Sequence, residues 1–126
     1  MIFKQNMIVI ITNGRLAGKK AVVLSQLDEQ HILVAGVNRV PVPSEDYMPA
    51  WEKRRNEKFL TFIKKININH VLASRYKADI GLGKLDAESV LQDMAAKEKA
   101  SKEVNSIMNN AREAGKAKWL FTLLKF

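Results

Sequence analysis

The sequence predicts a mainly β fold with an α extension: a small barrel of short strands followed by a C-terminal helical arm. Three observations predict it. Residues 1–83 hold short runs rich in Val and Ile, separated by glycine, proline and acidic turn signals. Residues 84–126 lose that pattern, and Ala, Glu, Lys, Met and Gln dominate there, all compatible with helix. At 126 residues the chain is long enough for one core with one appendage. The expected division is a barrel with basic loops over 1–83 and a helical arm with an apolar tail over 84–126.

Strands are expected near 7–12, 19–26, 30–37 and 60–69. The first is the run Met7-Ile8-Val9-Ile10-Ile11-Thr12, whose β-branched residues suit a pleated, half-buried surface. It leads through Asn13-Gly14-Arg15-Leu16-Ala17-Gly18-Lys19-Lys20 into Ala21-Val22-Val23-Leu24, a strand–turn–strand unit. Gly14 and Gly18 can supply the positive φ angles of such a turn, and Arg15, Lys19 and Lys20 put three cations at or just beyond its tip. The second and third strands are separated by only Leu27-Asp28-Glu29, a hairpin-length connection. Gly36, before Val37-Asn38-Arg39, fits a bulge or sharp bend. Several short strands with tight turns suggest the SH3-like kind of barrel.

In the second half, Asp86 can cap a helix, with Ala87 and Glu88 suited to its first turn. From there to Ala114 neither proline nor glycine intervenes, and Gly115 ends the run. The apolar stripe thins after Leu91 to Met94, Ala95, Val104, Ile107, Met108 and Ala111. So narrow a stripe predicts an arm with little core to pack on, resting on something polar. The closing stretch Trp119–Phe126 is too apolar to leave in water and is expected to cover a core edge.

Net charge is +8 with a pI near 9.8, which favours a polyanionic partner. The basicity is spread: residues 1–43 carry five cations against two acids, 44–83 eight against five, and 84–126 eight against six. The chain has no cysteine, which excludes disulfides, thiol catalysis and cysteine-ligated zinc and agrees with an intracellular location. The apolar N-terminus is too short for a secretory signal, and no stretch is long enough to span a bilayer. A soluble protein without membrane association is expected.

The basic turn is not a nucleotide loop. A Walker loop reads G-x-x-x-x-G-K-[ST] and opens a helix. Here the spacing is one residue short, Lys20 stands where a metal-binding hydroxyl belongs, and strand character resumes at Ala21. His31 and His70 are far apart and in no ligand-spaced cluster, so neither metal nor acid–base chemistry is expected of them. His70 does lie between Asn67-Ile68-Asn69 and Ser74-Arg75-Tyr76. That bunching can stack on bases and bond phosphate, or it can brace a loop, and the sequence leaves both readings open. The densest basic run is Trp51-Glu52-Lys53-Arg54-Arg55-Asn56-Glu57-Lys58. Such a run is ordinarily a solvated face, but Tyr47 and Trp51 beside it favour stacking on nucleic acid.

Four blocks, in order, carry a family resemblance. Asn13-Gly14-Arg15-Leu16-Ala17-Gly18-Lys19-Lys20-Ala21-Val22-Val23 is similar to a KOW core of the form GR-x-x-G-[RK]-K-A-V. Leu33–Arg39 resembles L-V-A-G-[IV]-[DN]-R, with Pro41 after it. Phe62–His70 with Ser74-Arg75-Tyr76 resembles F-[VI]-K-x-x-N-x-N-H…T-R-Y. Lys118-Trp119-Leu120-Phe121 and Leu124-Lys125-Phe126 resemble K-W-F-F…L-R-F. Together they resemble the eukaryotic KOW-containing family of large-subunit ribosomal proteins numbered twenty-seven, in a divergent, compact form. Gln5-Asn6 replaces the family's Pro-Gly, the hairpin at Asp28-Glu29 is short, and the middle lysine run is thinned to Lys53-Arg54-Arg55.

The resemblance implies a structural, non-catalytic constituent of the large ribosomal subunit that supports translation. It implies no cofactor, no metal and no small-molecule substrate. The implied partners are large-subunit ribosomal RNA and neighbouring ribosomal proteins, on the cytoplasmic ribosome after assembly in the nucleolus. The implied RNA-binding residues are Arg15, Gly18, Lys19, Lys20, Arg39, Lys53, Arg54, Arg55, Lys64, Lys65, Asn69, His70, Arg75, Tyr76, Lys77 and Lys118. The arm would order fully only against RNA or neighbouring proteins. Two rivals remain: a KOW or SH3-like interaction module of a transcription or RNA-processing complex, and a small RNA-modifying enzyme.

Overall fold

Alternating apolar residues in consecutive short runs pair into one antiparallel sheet. A computed structural model describes residues 3–41, 43–78, 94–116 and 118–122. The strands are β1 (Met7–Ile11), β2 (Lys20–Gln26), β3 (His31–Arg39), β4 (Leu60–Asn67) and β5 (Val71–Lys77). A short helix, α1 (Ala50–Asn56), joins β3 to β4. A 3-10 turn at Ile68–His70 joins β4 to β5, α2 spans Met94–Glu113, and a second 3-10 turn covers Lys118–Phe121.

The sheet order is β4-β3-β2-β1-β5, so the consecutive strands β4 and β5 lie at opposite edges. Laid flat at about 4.8 Å per strand, those edges would be roughly 19 Å apart. The link Ile68–His70 is only three residues, and at full extension it bridges at most about 14 Å. The sheet must therefore curl its edges together, which is the barrel-like closure expected from the sequence. Register shifts in three of the four strand pairings mark where it bends.

Both faces of the curled sheet are buried. Val9, Ile11, Ala21, Val23, Ile32, Val34 and Ile66 fill one side together with Leu16 from the turn. Ile8, Val22, Leu24, Leu33, Ala35, Val37 and Ile63 point to the other, where Ala100, Val104 and Met108 of α2 and Leu120 cover them. Val104 and Met108 are fully buried. The α2 stripe is narrow, as the sequence indicates, but it is laid on the sheet. The expectation of a helix with little core to pack on is corrected here, because Ala100, Val104, Met108 and Ala111 are all buried along one face of it. Asn105 adds a bond from its Nδ2 to the Phe59 carbonyl at 3.1 Å.

Turn and cap readings hold at particular residues. Gly14, Gly18 and Gly115 have φ of +86°, +83° and +75°, and Gly115 follows the last turn of α2. The expected bend after Gly36 is a register shift between Val37 and Arg39 against β4. Gly36 itself is required by close approach: a Cβ there would overlap the Phe62 ring and lie 2.8 Å from the Lys20 carbonyl. Two features were not anticipated, α1 within the basic run and β5 over 71–77. The Asp86 cap and the closing Leu124-Lys125-Phe126 lie outside the described residues. In the closing stretch, Leu120 is buried and Trp119 and Phe121 pack against the core.

Candidate nucleic-acid interface

The β1–β2 turn is built by backbone bonds around one apolar anchor. Gly18 N–H donates to Ile11 O (2.7 Å), Ile11 N–H to Lys19 O (3.0 Å) and Ala17 N–H to Gly14 O (3.2 Å). Leu16 plugs the turn into the core at 6% exposure, so Arg15 beside it is held outward. No atom lies within 4 Å of a Cβ built on Gly14 or Gly18, so these glycines serve backbone conformation rather than space.

The β4–β5 link packs beside this turn. Thr12 N–H donates to the His70 carbonyl at 2.8 Å, and Asn67 Oδ1 accepts from Asn69 N–H at 2.9 Å. The loop-bracing reading of this segment is thus real for Asn67 and the backbone. Asn69 and His70 nonetheless remain exposed. A cleft of about 280 Å³ between turn and link is lined by Asn13, Gly14, Lys64, Lys65, Asn67 and His70, among others. Lys64 and Lys65 stand exposed on edge strand β4 between buried Ile63 and Ile66. The fold thus brings the first and third sequence blocks to one polar, cationic cleft.

A second basic surface is separate. Trp51, Arg54 and Arg55 stand at i, i+3 and i+4 on α1 and share one helix face. They line a groove of about 490 Å³ with Lys58, Arg39 and Leu60. Arg39 and Leu60 are cross-strand partners at the β3–β4 edge. Lys53, two residues from Trp51, falls off that face and does not line the groove. Lys58 and Leu60 are absent from the sequence-derived set. Lys58 belongs to the same basic run but lies past the end of α1, and only strand register shows Leu60.

The third group meets at the C-terminal turn. The Trp119 ring stacks on Tyr76 with centroids 4.4 Å apart and planes 27° apart. The Arg75 guanidinium lies 5.7 Å from the Tyr76 ring. Ser74 Oγ donates to the Ile8 carbonyl, tying this part of β5 to β1. Lys77, paired with Met7 at the strand end, and Lys118 are both exposed.

Lys20 requires a correction. It is only 4% exposed. Its Nζ donates to Trp119 O (2.9 Å), Thr122 O (2.9 Å) and Thr122 Oγ1 (2.7 Å), and it lies 4.2 Å from the Trp119 ring centroid. Lys20 shares strand parity with Val22 and Leu24, which face α2, so alternation turns it inward. Burial lowers its pKa from the ordinary 10.5. All three ammonium donors are occupied, so this cation is spent on the chain's own C-terminal turn and does not face phosphate. Lys19, of opposite parity, stays half-exposed beside Gly18.

Among the described residues the one ion pair is Asp28–His31 at 3.0 Å. Arg15, Lys19, Lys64, Lys65, Arg54 and Arg55 therefore have no carboxylate partner among them. Such uncompensated charge is what a polyanion neutralises on binding. Among the same residues no group of three or more His, Asp or Glu is placed to hold a metal ion, and no helix is long and apolar enough to cross a membrane.

Comparison with known proteins decides the family. The model of the ribosomal L27e protein family matches residues 8–126. The chain belongs to the ribosomal L27e protein family. A Candida albicans protein named large ribosomal subunit protein eL27 is 33% identical over 131 residues, covering 98% of this chain and 96% of that protein. A Caenorhabditis elegans protein of the same name is 32% identical over 133 residues, covering 99% of this chain and 98% of its own length. The matched span includes the β1–β2 turn, the β4–β5 link and the Trp119 turn.

Proposed function

We propose that this chain is a structural constituent of the large ribosomal subunit, that it binds ribosomal RNA through exposed cations of the barrel, and that it catalyses nothing. The observation that carries the reading is the cleft at the β1–β2 turn. There Lys64, Lys65, Asn67 and His70 converge on the base of a glycine turn that holds Arg15 outward. Phosphate oxygens meet lysine and backbone N–H groups at such a surface, and Asn69 and His70 offer bonds or stacking to an unpaired base. Lys19, Arg75, Lys77 and Lys118 extend the neutralised path. Neighbouring ribosomal proteins are its further contacts, the cytoplasmic ribosome its working location, and the nucleolus its place of assembly.

The test is sedimentation of the endogenous protein through sucrose with and without magnesium chelation. Cosedimentation with the large subunit after the subunits part, persisting in moderate salt, is the expected result. Recovery at the top of the gradient, or with transcription complexes, overturns the reading in favour of a free interaction module.

A further inference from the structure

We infer that the groove between α1 and the β3–β4 edge is a single-strand RNA subsite, taking one unpaired nucleotide with its base on Trp51 and its phosphates on the flanking cations. This rests on the RNA-binding reading above and adds a contact surface that the β1–β2 turn does not provide.

Trp51 is 60% exposed, although neither core cluster includes it and the chain's other tryptophan is packed. Leaving so large an apolar ring in water is unfavourable by roughly the transfer energy of an aromatic side chain. Among the described residues its ring has no stacking or cation–π partner, whereas Trp119 has both. Around it stand Arg39, Arg54, Arg55 and Lys58, none ion-paired among those residues. The nearby acids do not compensate: Glu52 on α1 and Glu57 just after it form no ion pair with these cations.

The combination selects the occupant. Four cations require an anion, and one open aromatic face suits a flat π-system, and an unpaired nucleotide supplies both. The volume of about 490 Å³ lies within the roughly 300–1,000 Å³ usual for small-ligand sites. Duplex RNA cannot present a base face to Trp51 without unstacking. An acidic peptide would satisfy the arginines, but the groove has no enclosed apolar hole for an anchoring side chain; its apolar wall is Trp51 with half-exposed Leu60.

The test is fluorescence anisotropy of a labelled six-nucleotide oligoadenylate on the full chain. The variants are Trp51→Leu, Trp51→Phe, the pair Arg54→Gln with Arg55→Gln, and Lys64→Gln with Lys65→Gln as the turn-cleft control. All replace exposed residues, and thermal melts verify that each variant folds. Trp51→Leu is expected to weaken binding about tenfold, as expected for one lost base stack, while leaving the salt slope unchanged. Trp51→Phe keeps most of the affinity. Arg54→Gln with Arg55→Gln reduces the magnitude of the log K against log salt slope by about 1.4, at ~0.7 per lost phosphate contact on single strands.

Unchanged affinity in Trp51→Leu, with loss only in the turn-cleft pair, overturns the subsite and leaves the RNA reading standing. No binding of oligoadenylate or of a structured RNA by the parent chain overturns the RNA reading itself. Competition by polyglutamate at equal charge, lost in Trp51→Leu, overturns the nucleotide assignment in favour of an acidic peptide.

Discussion

Replacing Lys20 with Met separates two roles that the β2 N-terminus would otherwise share. Methionine keeps most of the stem volume and removes only the ammonium, with its three bonds to Trp119 O, Thr122 O and Thr122 Oγ1 at 2.7–2.9 Å. Bonds from a charged donor are worth about 1.5–3 kcal/mol each, which would sum to roughly 5–9 kcal/mol. Two terms cut that figure. The substitution removes the ion itself, so its desolvation cost is returned and no orphaned charge remains. Thr122 is exposed, so its oxygens regain water, and the Trp119 carbonyl keeps the Thr122 Oγ1 and N–H donors at 2.8 and 3.2 Å. A net destabilisation of about 1–3 kcal/mol remains, a drop in Tm of roughly 4–12 °C for a domain of this size. Thermal melts followed by circular dichroism read it, with the near-ultraviolet tryptophan signal reporting the Tyr76–Trp119 stack. The slope of RNA affinity against salt should not change. Lys19→Gln gives the opposite pattern, a salt slope smaller in magnitude by nearly one unit with little loss of Tm. If Lys20→Met melts within 1 °C of the parent while losing RNA affinity and salt slope as Lys19→Gln does, the ammonium faces phosphate and the inward assignment is refuted.

Met108→Ala should cost about 2–5 kcal/mol in urea unfolding, because Met108 is fully buried between α2 and the sheet; a loss below 1 kcal/mol would mean the helix is not seated there. Gly18→Ala should cost about 1–2 kcal/mol from its φ of +83° alone, and should fold with the turn intact because the added methyl meets no atom. Gly36→Ala should be worse than a simple overpacking change of about 1–3 kcal/mol, since backbone of β2 as well as the Phe62 ring blocks the methyl; expression of soluble protein at parental level would contradict this. The Asp28 carboxyl, held below its ordinary 3.8 first by the Gln30 N–H and next by His31, should titrate below that value by carbon-detected NMR. The folded pKa lies below the unfolded one, so the hairpin's stabilisation is present above about pH 3.8 and fades as pH falls through the lower folded value. His31→Ala should move the midpoint only part of the way back.

Strand existence was legible where β-branched residues run in short bounded stretches, as in Met7–Ile11 and His31–Arg39. Two elements were hidden, for different reasons. β5 reads Val71-Leu72-Ala73-Ser74-Arg75-Tyr76-Lys77, with five of its seven residues exposed. An edge strand with a solvated outer face carries little apolar alternation to detect. Helix α1 is seven residues with none buried, so no stripe announces it; Pro49 at its N-cap, with φ −58°, and Glu52 in its first turn are the local signs of a helix start. The site was legible in its residue types but not in its grouping. Lys64, Lys65 and His70 reach the β1–β2 turn only because a three-residue link forces the sheet to close, and the sequence shows the short link but not that β4 and β5 are the two edges.

Lys20 shows how far local reading could have gone. In the string Lys19-Lys20-Ala21-Val22-Val23-Leu24, strand alternation assigns Lys20 the face of Val22 and Leu24 and Lys19 the face of Ala21 and Val23. Both faces of this strand are buried further along, so parity alone does not say which lysine goes in. What decides is the covering layer. On the Lys20 side lies a 3-10 turn whose Trp119 and Thr122 carbonyls both accept from the ammonium, a cation suited to that negative end. On the Lys19 side the strand is leaving the glycine turn into solvent. A basic pair at a strand start is therefore divided between two tasks. One cation fixes the C-terminal turn and, through Trp119, the position of Tyr76 on β5; the other stays at the exposed base of the turn. The charge this lysine pair leaves exposed is half of what the sequence displays, and the aromatic stack beside it is held by the other half.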